Sequence, residues 1–368
     1  MRTARTVIVA ACLLAIAACA EEASAPTEEQ DSATPTPTRV RTATPSPSPT
    51  PFAIRPLAIG DVFAPRDLTQ YNLDPARLRT VIATGDVIPA RYTDFTIRNL
   101  GDDFLYPVRA TSDITAAADI TVINLEAPLV EHCPVHVDGF TFCGRPGFVA
   151  ALQEAGVDVA TLENNHIGNY GKPGIDETVR HLEAGAIKWA DRDTAAIVDV
   201  RGLKFGFLGV GAVGEVVDRD GMAAQIKALR PQVDVLAVGV HWGAEYVSLP
   251  QSAGGVALDN PVELAHLMVD SGADLVIGNH PHWVQAVEVH KDGYIAYAHG
   301  NFIFDQMWSY ETRVGVIGKY TFYDDVLIGV EYTPTLIENY AQPVPMQGAE
   351  RQAVLDGMKA ASEELAGP

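Results

Sequence analysis

The sequence predicts an α/β (α+β) fold in which two β-sheets pack together with helices on the outside. Between residues 80 and 278, short apolar runs typical of strands alternate with helical stretches. After residue 284 the alternation stops, and four strand-like runs follow one another, which favours an antiparallel sheet. The chain has 368 residues, so the region from residue 57 onwards is long enough to bury one large core or two small ones.

The elements follow in chain order. Apolar runs predict strands at 80–86, 119–126, 157–162, 203–210, 233–241 and 275–278, and then at 284–290, 294–299, 314–322 and 326–335. Helical spacing predicts helices near 114–118 and at 148–155, 172–184, 222–229, 261–271 and 349–365. The helix at 172–184 has Pro173 at its second position and Gly185 after its end, which are ordinary start and stop signals.

The first 19 residues have the features of a bacterial lipoprotein signal peptide. Arg2 and Arg5 precede an apolar run at 7–18 that is too short to span a bilayer. The run ends at Ile16-Ala-Ala-Cys19, which resembles a lipobox, the motif whose cysteine becomes the acylated N-terminus. We therefore expect an extracytoplasmic protein that is anchored to the cell membrane by a lipid on Cys19. Ordinary signal cleavage nearby, with Cys19 incidental, is the alternative.

Composition divides the remainder into three parts. Residues 20–56 are rich in Pro, Thr and Ser and contain few large apolar side chains, so they predict a disordered stalk. Residues 57–345 carry the alternating pattern of the folded domain, and residues 346–368 contain the predicted C-terminal helix.

Charge and cysteine content restrict the class of protein. The formal net charge of −21 argues against a nucleic-acid partner. Of the four cysteines, Cys133 and Cys143 lie in the folded domain, and an even pair in an oxidising compartment predicts a disulfide. A thiolate metal site that also uses His132 and His136 is the alternative.

Side chains that bind metals follow five of the predicted strands at their C-terminal ends. They are Asp86, Glu126, Asn165 with His166, His241, and His280 with His282. Carboxylate oxygens and imidazole nitrogens are suited to Mn, Fe, Zn or Mg ions. Because the C-terminal ends of parallel strands meet at one edge of a sheet, these residues can converge. Each alone is compatible with a turn, a helix cap or a buried histidine, but the combination indicates a metal site.

The order of these motifs resembles that of the CapA family, which comprises bacterial capsule or poly-γ-glutamate biosynthesis proteins. The matching motifs are Gly85-Asp86, Asn124-Leu-Glu126-Ala-Pro128, Asn164-Asn-His166, His241-Trp-Gly-Ala-Glu245-Tyr, Gly278-Asn-His280-Pro-His282 and His299-Gly-Asn301-Phe-Ile-Phe-Asp305-Gln306. The likeness covers about residues 79 to 308. The family is similar to the calcineurin-like metallophosphoesterases, so the resemblance implies a four-layer αββα sandwich.

The resemblance also implies two divalent ions, whose identity among Mn, Fe, Zn and Mg stays open. The expected ligands are Asp86 and His282 for the first ion, Glu126 as a bridge, and Asn165, His241 and His280 for the second. Such a pair of cations activates a water molecule and neutralises phosphate oxygens. Ile88 stands where the wider superfamily has a histidine, which would weaken the site of the first ion.

Further residues receive roles from the same resemblance. His166 would lie outside the coordination shell, near a leaving group, as a catalytic proton donor. Asn301 and Asp305 would support the ligand loops from a second shell. From its position after Cys143-Gly144, Arg145 is a candidate for gripping an anionic substrate, although an ordinary surface arginine fits equally well.

The resemblance implies a membrane-anchored protein of capsular polymer biosynthesis. Its substrate would be an anionic cell-envelope polymer or a phosphoester, and capsule synthesis membrane proteins are candidate partners. His166 favours a metal-dependent hydrolase of the phosphoesterase type, whereas Ile88 favours a non-catalytic partner in polymer binding or export. A lipoprotein with a vestigial site is the third alternative.

Overall fold

The computed structural model describes residues 55, 57–64 and 66–367. The predicted signal peptide at 1–19, including Cys19, and most of the predicted stalk at 20–56 lie outside the described residues. The described residues belong to one compact unit. Within them, no helix has both the length and the apolar character needed to cross a membrane.

Strands and helices alternate along most of the described chain. The strands are β1 (Leu78–Val87), β2 (Ile120–Leu125), β3 (Val159–Thr161), β4 (Lys188–Ala190), β5 (Ala196–Val200), β6 (Leu203–Gly211), β7 (Val235–His241), β8 (Leu275–Asn279), β9 (Val287–His290), β10 (Gly293–Ala296), β11 (Asn301–Ile303), β12 (Val314–Tyr323), β13 (Val326–Glu338) and β14 (Gln342–Pro345). The helices are α1 (Ile59–Phe63), α2 (Tyr92–Asn99), α3 (Ser112–Thr115), α4 (Val149–Glu154), α5 (Gly171–Ala184), α6 (Arg219–Leu229), α7 (Pro261–Ser271) and α8 (Gly348–Ala366).

Two mixed sheets contain these strands. The first sheet runs in the order β14-β13-β12-β1-β2-β3-β4, with β11 also paired to β1. The second sheet runs in the order β5-β6-β7-β8-β10-β9. Neighbouring strands β1 to β4 are parallel, and so are β6 to β8. Each sheet therefore has a parallel centre whose strands end on the same side.

The predicted antiparallel meander is divided between the two sheets, which corrects the sequence interpretation. Strands β12 and β13 pair antiparallel in the first sheet, where β12 lies beside β1. Strand β10 instead joins the second sheet, parallel to β8 and antiparallel to β9. The chain crosses from the second sheet to the first between β10 and β11, where β11 pairs in parallel with β1.

Alternate side chains of the central strands face different layers. Val81 of β1 and Ala237 of β7 lie in a core between the two sheets, whereas Ile82 faces the helices that cover the first sheet. On the second sheet, Leu236 and Val238 face α6 and α7 in a third core. This period of two is the ordinary geometry of a strand that is buried on both faces. The four-layer αββα sandwich that the resemblance implies is thereby confirmed.

Two features stabilise the periphery. Cys133 and Cys143, the pair predicted from the sequence, are joined by a disulfide with a Cα–Cα distance of 5.7 Å. Helix α8 buries Met358 and Ala361 against the cores of the sandwich. The C-terminal helix therefore packs within the same unit as the two sheets.

Gly278 of β8 allows a close approach that no other residue type permits. A Cβ atom at this position would lie 1.9 Å from the carbonyl oxygen of Tyr297, which is backbone and cannot swing away. We expect Gly278→Ala to lower the free energy of unfolding by about 1–3 kcal/mol, the usual effect of overpacking. Urea unfolding measures this change. Gly254→Ala is the matched control, because no atom lies within 4 Å of a Cβ there, and equal midpoints for the two variants would contradict the prediction.

Candidate metal centre

The two sheets contribute different kinds of ligand to one place. Oxygen ligands follow the strands of the first sheet, and imidazoles follow the strands of the second. The first set is Asp86 of β1, Glu126 directly after β2 and Asn165 after β3; the second set is His241 of β7 and His280 and His282 after β8. All except Asn165 are buried.

The ligand atoms form two groups of three that share Glu126. One group is Asp86, Glu126 and His241, and the other is Glu126, His280 and His282. Within each group the ligand atoms all lie within 4.8 Å of one another. The expected pairing of Asp86 with His282, and of His241 with His280, crosses these groups, so the assignment of ligands to individual ions stays a prediction. A central position of Glu126 is common to both arrangements.

Direct contacts connect the groups further. His282 Nδ1 lies 3.1 Å from Asp86 Oδ2 and 2.9 Å from Asn301 Oδ1. His241 Nε2 lies 2.8 Å from Asn165 Oδ1. The exposed amide of Asn165 therefore reaches the buried ligands, and the sequence-predicted ligands all belong to one connected cluster.

Several buried polar atoms of this cluster have no hydrogen-bond partner among the described residues. They are Glu126 Oε1 and both ring nitrogens of His280. Glu126 Oε1 does lie 3.3 Å from His241 Nε2, but without hydrogen-bond geometry. Each buried atom that is left without a partner lowers the free energy of unfolding by about 1–3 kcal/mol. A cation would satisfy a carboxylate oxygen and an imidazole lone pair together, so the residues present fit a metal centre.

The backbone that presents the two histidines is strained. His280 has φ of +93° and His282 has φ of +57°, in a region that non-glycine residues rarely adopt. The carbonyl of Pro281 between them accepts a hydrogen bond from the backbone N–H of Tyr246 at 2.9 Å. Strain of this kind persists where surrounding contacts hold it, and it clusters at functional sites.

Burial and neighbouring charges perturb the pKa values of the cluster. Burial, together with the charge of Asp86, raises the pKa of Glu126 well above its usual value. Burial also lowers the pKa of His241 to about 4. For His282, burial is outweighed by the hydrogen bond with Asp86 and the charge of Glu126, which raise its pKa to about 9. The cluster brings many carboxylate oxygens and imidazole nitrogens together with little positive charge among them. A bound cation would supply that charge.

Ile88 follows Asp86 in the chain by two residues and offers no metal ligand. Its side chain is fully buried in an apolar cluster with Ala127, Phe142 and Phe304. An aliphatic side chain has no lone pair for a cation. An ion near Asp86 would therefore obtain no ligand from residue 88.

His166 lies beside the cluster without entering either ligand group. Its ring is partly buried and packs on Phe142, with 4.2 Å between ring centroids. Its Nδ1 lies 3.1 Å from Asn169 Oδ1, which fixes the orientation of the ring. Burial lowers the pKa of His166 to about 4, so the ring is neutral near pH 7. Donation to a leaving group, the role expected for His166 from the resemblance, requires the protonated ring, and this role stays a prediction.

Arg145, the predicted substrate grip, is held by carboxylates. Its Nε lies 2.7 Å from Asp94 Oδ1, and its Nη1 lies 2.6 Å from Asp102 Oδ1. Its guanidinium also packs over Phe104, with 4.5 Å to the ring centroid. These contacts explain the position of Arg145 without a substrate, and its role as a grip stays a prediction.

Arg91 is a second cation near the cluster, and the sequence pattern did not indicate it. Its guanidinium lies 4.9 Å from the ring centroids of both Phe142 and Phe304. Those two rings pack in turn on His166 and His282. Its Nε is buried and has no hydrogen-bond partner among the described residues. The signal available in the sequence was its position in the loop that directly follows Asp86.

The two predicted supporting residues hold the loops in different ways. Asn301 is fully buried; it contacts His282 through Oδ1 and donates through Nδ2 to the carbonyl of Thr312 at 2.9 Å. Asp305 forms an ion pair with Arg91 and accepts from the backbone N–H of Tyr92 at 2.9 Å. Asn301 therefore orients a candidate ligand directly, whereas Asp305 fixes Arg91.

Asn124 is another residue whose role the sequence analysis missed. Its Nδ2 donates to Asp86 Oδ1 at 2.9 Å and lies 3.4 Å from both Glu126 Oε2 and His241 Nδ1. One amide thus contacts both carboxylates and an imidazole from the opposite sheet. Asn124 belongs to the quoted motif around Glu126, but its contact with the second sheet exists only in three dimensions.

Comparisons with known proteins identify a family and two relatives. The family described as "Bacterial capsule synthesis protein PGA_cap" matches residues 80–306. The capsule biosynthesis protein CapA of Bacillus anthracis is 28% identical over 298 residues, which cover 73% of this chain and 70% of that protein. The PGA biosynthesis protein CapA of Bacillus subtilis (strain 168) is 25% identical over 291 residues, which cover 72% of each.

A solved structure is also similar. The putative 5′-nucleotidase from Staphylococcus aureus aligns with a TM-score of 0.42 and 14% identity, over 76% of this chain and 58% of that chain. The family match extends from β1 through β11 and includes the quoted motifs of the metal centre. The chain therefore belongs to the family of bacterial capsule synthesis proteins called PGA_cap.

Proposed function

We propose that this protein acts in the biosynthesis of an anionic capsular polymer of the poly-γ-glutamate type, as a metal-dependent hydrolase at the cell envelope. The observation that carries the proposal is the buried cluster in which carboxylates of one sheet meet imidazoles of the other. Family membership and the names of the Bacillus relatives, which describe capsule and PGA biosynthesis, support the choice of pathway.

The cluster would hold divalent cations through the residues already described. Asp86, Glu126 and His241 form one candidate set, and Glu126, His280 and His282 form the other. When bound, such a pair of ions supplies Lewis-acid activation of water and neutralises anionic oxygens of the substrate. Ile88 contributes no ligand near Asp86, so the ion at that place would be held more weakly than the other, and one or two ions would bind accordingly.

The side chains around the cluster would bind and orient the substrate. The side chain of Arg91 is only 14% exposed, and its guanidinium packs against two aromatic rings and pairs with Asp305, so its direction is fixed before an anion arrives. A planar guanidinium suits a phosphate or a carboxylate through paired N–H groups. His166 would hold or move a proton at a ring nitrogen beside the reacting group. Phe142 and Phe304 exclude water from the space between them.

A non-catalytic role in polymer binding or export is the second candidate. The observation in its favour is the buried Ile88, since a site with fewer ligands can bind an anionic polymer without turning it over. A lipid anchor on Cys19 and extracytoplasmic location are part of both proposals. They rest on the signal-like segment at 1–19 and the composition of residues 20–56. Capsule synthesis membrane proteins would be the partners.

Metal content tests the centre. We expect the chelator-treated full chain to take up about two equivalents of Mn²⁺, or fewer if Ile88 weakens one position. His280→Ala should lose at least one equivalent, because both nitrogens of His280 are buried without another partner. Element analysis after desalting measures the uptake. His132→Ala, which changes an exposed histidine, should match the wild type, and wild-type metal content in His280→Ala would contradict the ligand assignment.

Turnover distinguishes the enzyme from the binder. We expect wild type to hydrolyse bis(4-nitrophenyl) phosphate or to shorten poly-γ-glutamate. His166→Ala should lower kcat by about 10²-fold or more, with metal content unchanged, since a positioned acid or base contributes about 10²–10⁴-fold. His166→Gln provides a second variant that refills part of the volume beside Phe142. A fully metal-loaded wild type that binds polymer but cleaves neither compound would favour the binder.

The two arginines can be compared directly. We expect Arg91→Lys to raise KM for an anionic substrate by about tenfold, because lysine keeps the charge beside Asp305 but loses the planar fork. Arg145→Lys should raise KM less, because Nε and Nη1 of Arg145 already donate to Asp94 and Asp102, whereas Nε of Arg91 has no partner among the described residues. Steady-state kinetics on both variants measures the difference. A larger effect at Arg145 would restore it as the residue that grips the substrate.

A further inference from the structure

We propose that His266, Glu288 and His290 form a second cation site, separate from the metal centre, that takes a divalent ion of the zinc class. One ligand atom from each of the three lies within 4.8 Å of the others. The site lies at the outer edge of the second sheet, where side chains of α7 contact side chains of the edge strand β9. No residue of the metal centre belongs to it.

Local geometry brings the three residues together. Glu288 and His290 are two apart on β9, so their side chains point to the same face of the sheet. Val287 and Val289, which alternate with them, pack into the core between the sheets. Glu288 and His290 therefore point away from that core, and His266 of α7 meets them. Asn260 fixes the start of α7 by accepting from the backbone N–H of Val262 at 2.9 Å.

The contacts within this group are close and ordered. His266 Nε2 lies 2.8 Å from Glu288 Oε1. The rings of His266 and His290 stack with 3.8 Å between centroids and an interplanar angle of 9°. Imidazole lone pairs lie in the ring planes, so one ring must turn about its side-chain bonds before both nitrogens bind the same ion. Two imidazoles and a carboxylate are a common ligand set for zinc, and three protein ligands leave a position for water or another ligand. The side chains are 34%, 26% and 21% exposed for His266, Glu288 and His290, so an ion can enter.

Two outer groups orient the ligands. Tyr297 donates its hydroxyl to Glu288 Oε2 at 2.7 Å, which leaves Oε1 directed at His266. Asp270 follows His266 by one turn of α7, and its Oδ1 lies 3.0 Å from His290 Nε2. A carboxylate behind a metal-binding histidine is a usual supporting contact and fixes the ring. Asp270 also pairs with Lys291, so we assign it this supporting role and not that of a ligand.

Zinc binding to the full chain tests the proposal. The chelator-treated protein is titrated with Zn²⁺ by calorimetry, and bound zinc is counted after desalting. We expect His266→Ala and Glu288→Gln each to bind one equivalent of zinc fewer than wild type, whereas the exposed-histidine control His132→Ala binds the same number. Asp270→Asn should weaken this equivalent by about tenfold or more. Equal zinc content in wild type and Glu288→Gln would overturn the proposal.

The background variant His280→Ala separates this site from the metal centre. His266→Ala introduced into that variant should remove one further equivalent, and failure to do so would overturn the proposal while leaving the proposed function intact. Circular dichroism reports whether the histidine variants fold. If they do not, anomalous scattering at the zinc edge, measured on zinc-saturated crystals of the wild type, tests the proposal instead. An ion about 2.0–2.2 Å from His266, Glu288 and His290 is the expected result, and its absence at saturating zinc would overturn the proposal.

Discussion

The carboxylates of the first sheet and the imidazoles of the second meet because both sheets have parallel central strands that end on the same side of the sandwich. Asp86 and Glu126 follow β1 and β2, whereas His241, His280 and His282 follow β7 and β8. Neither sheet carries both kinds of ligand. The candidate metal centre is therefore a property of the packing between sheets, and its geometry depends on the core that Val81 and Ala237 share.

Several buried polar groups where the two sheets meet lack hydrogen-bond partners among the described residues. A buried acceptor without a donor is costly in a folded protein. Glu126 Oε1 and the two nitrogens of His280 are such groups, while Asn124 and Asn301 satisfy only part of the cluster. The strained backbone at His280 and His282 has the same implication. Both costs are explained if the cluster is built to bind cations.

Much of the fold and most of the ligand set could be predicted from the sequence. Apolar runs rich in Val and Ile located the parallel strands, and the polar residue after each run located the site, because a strand end fixes where its next side chain lies. The partner of each strand could not be predicted. A strand buried on both faces reads the same wherever it lies, so the pattern did not reveal that β10 joins β8 or that β12 joins β1. Arg91 and Asn124 were missed for a related reason, since their contacts cross between segments distant in sequence.

The division of ligands between the sheets has a consequence for how the molecule matures. A chain in which only the first sheet has formed offers oxygen donors alone, and a chain with only the second offers nitrogens alone. If the cluster binds a cation as proposed, tight binding would require both sheets to have docked, and the bound ion would then oppose their separation by mass action. Metal uptake would in that case be coupled to the completion of folding.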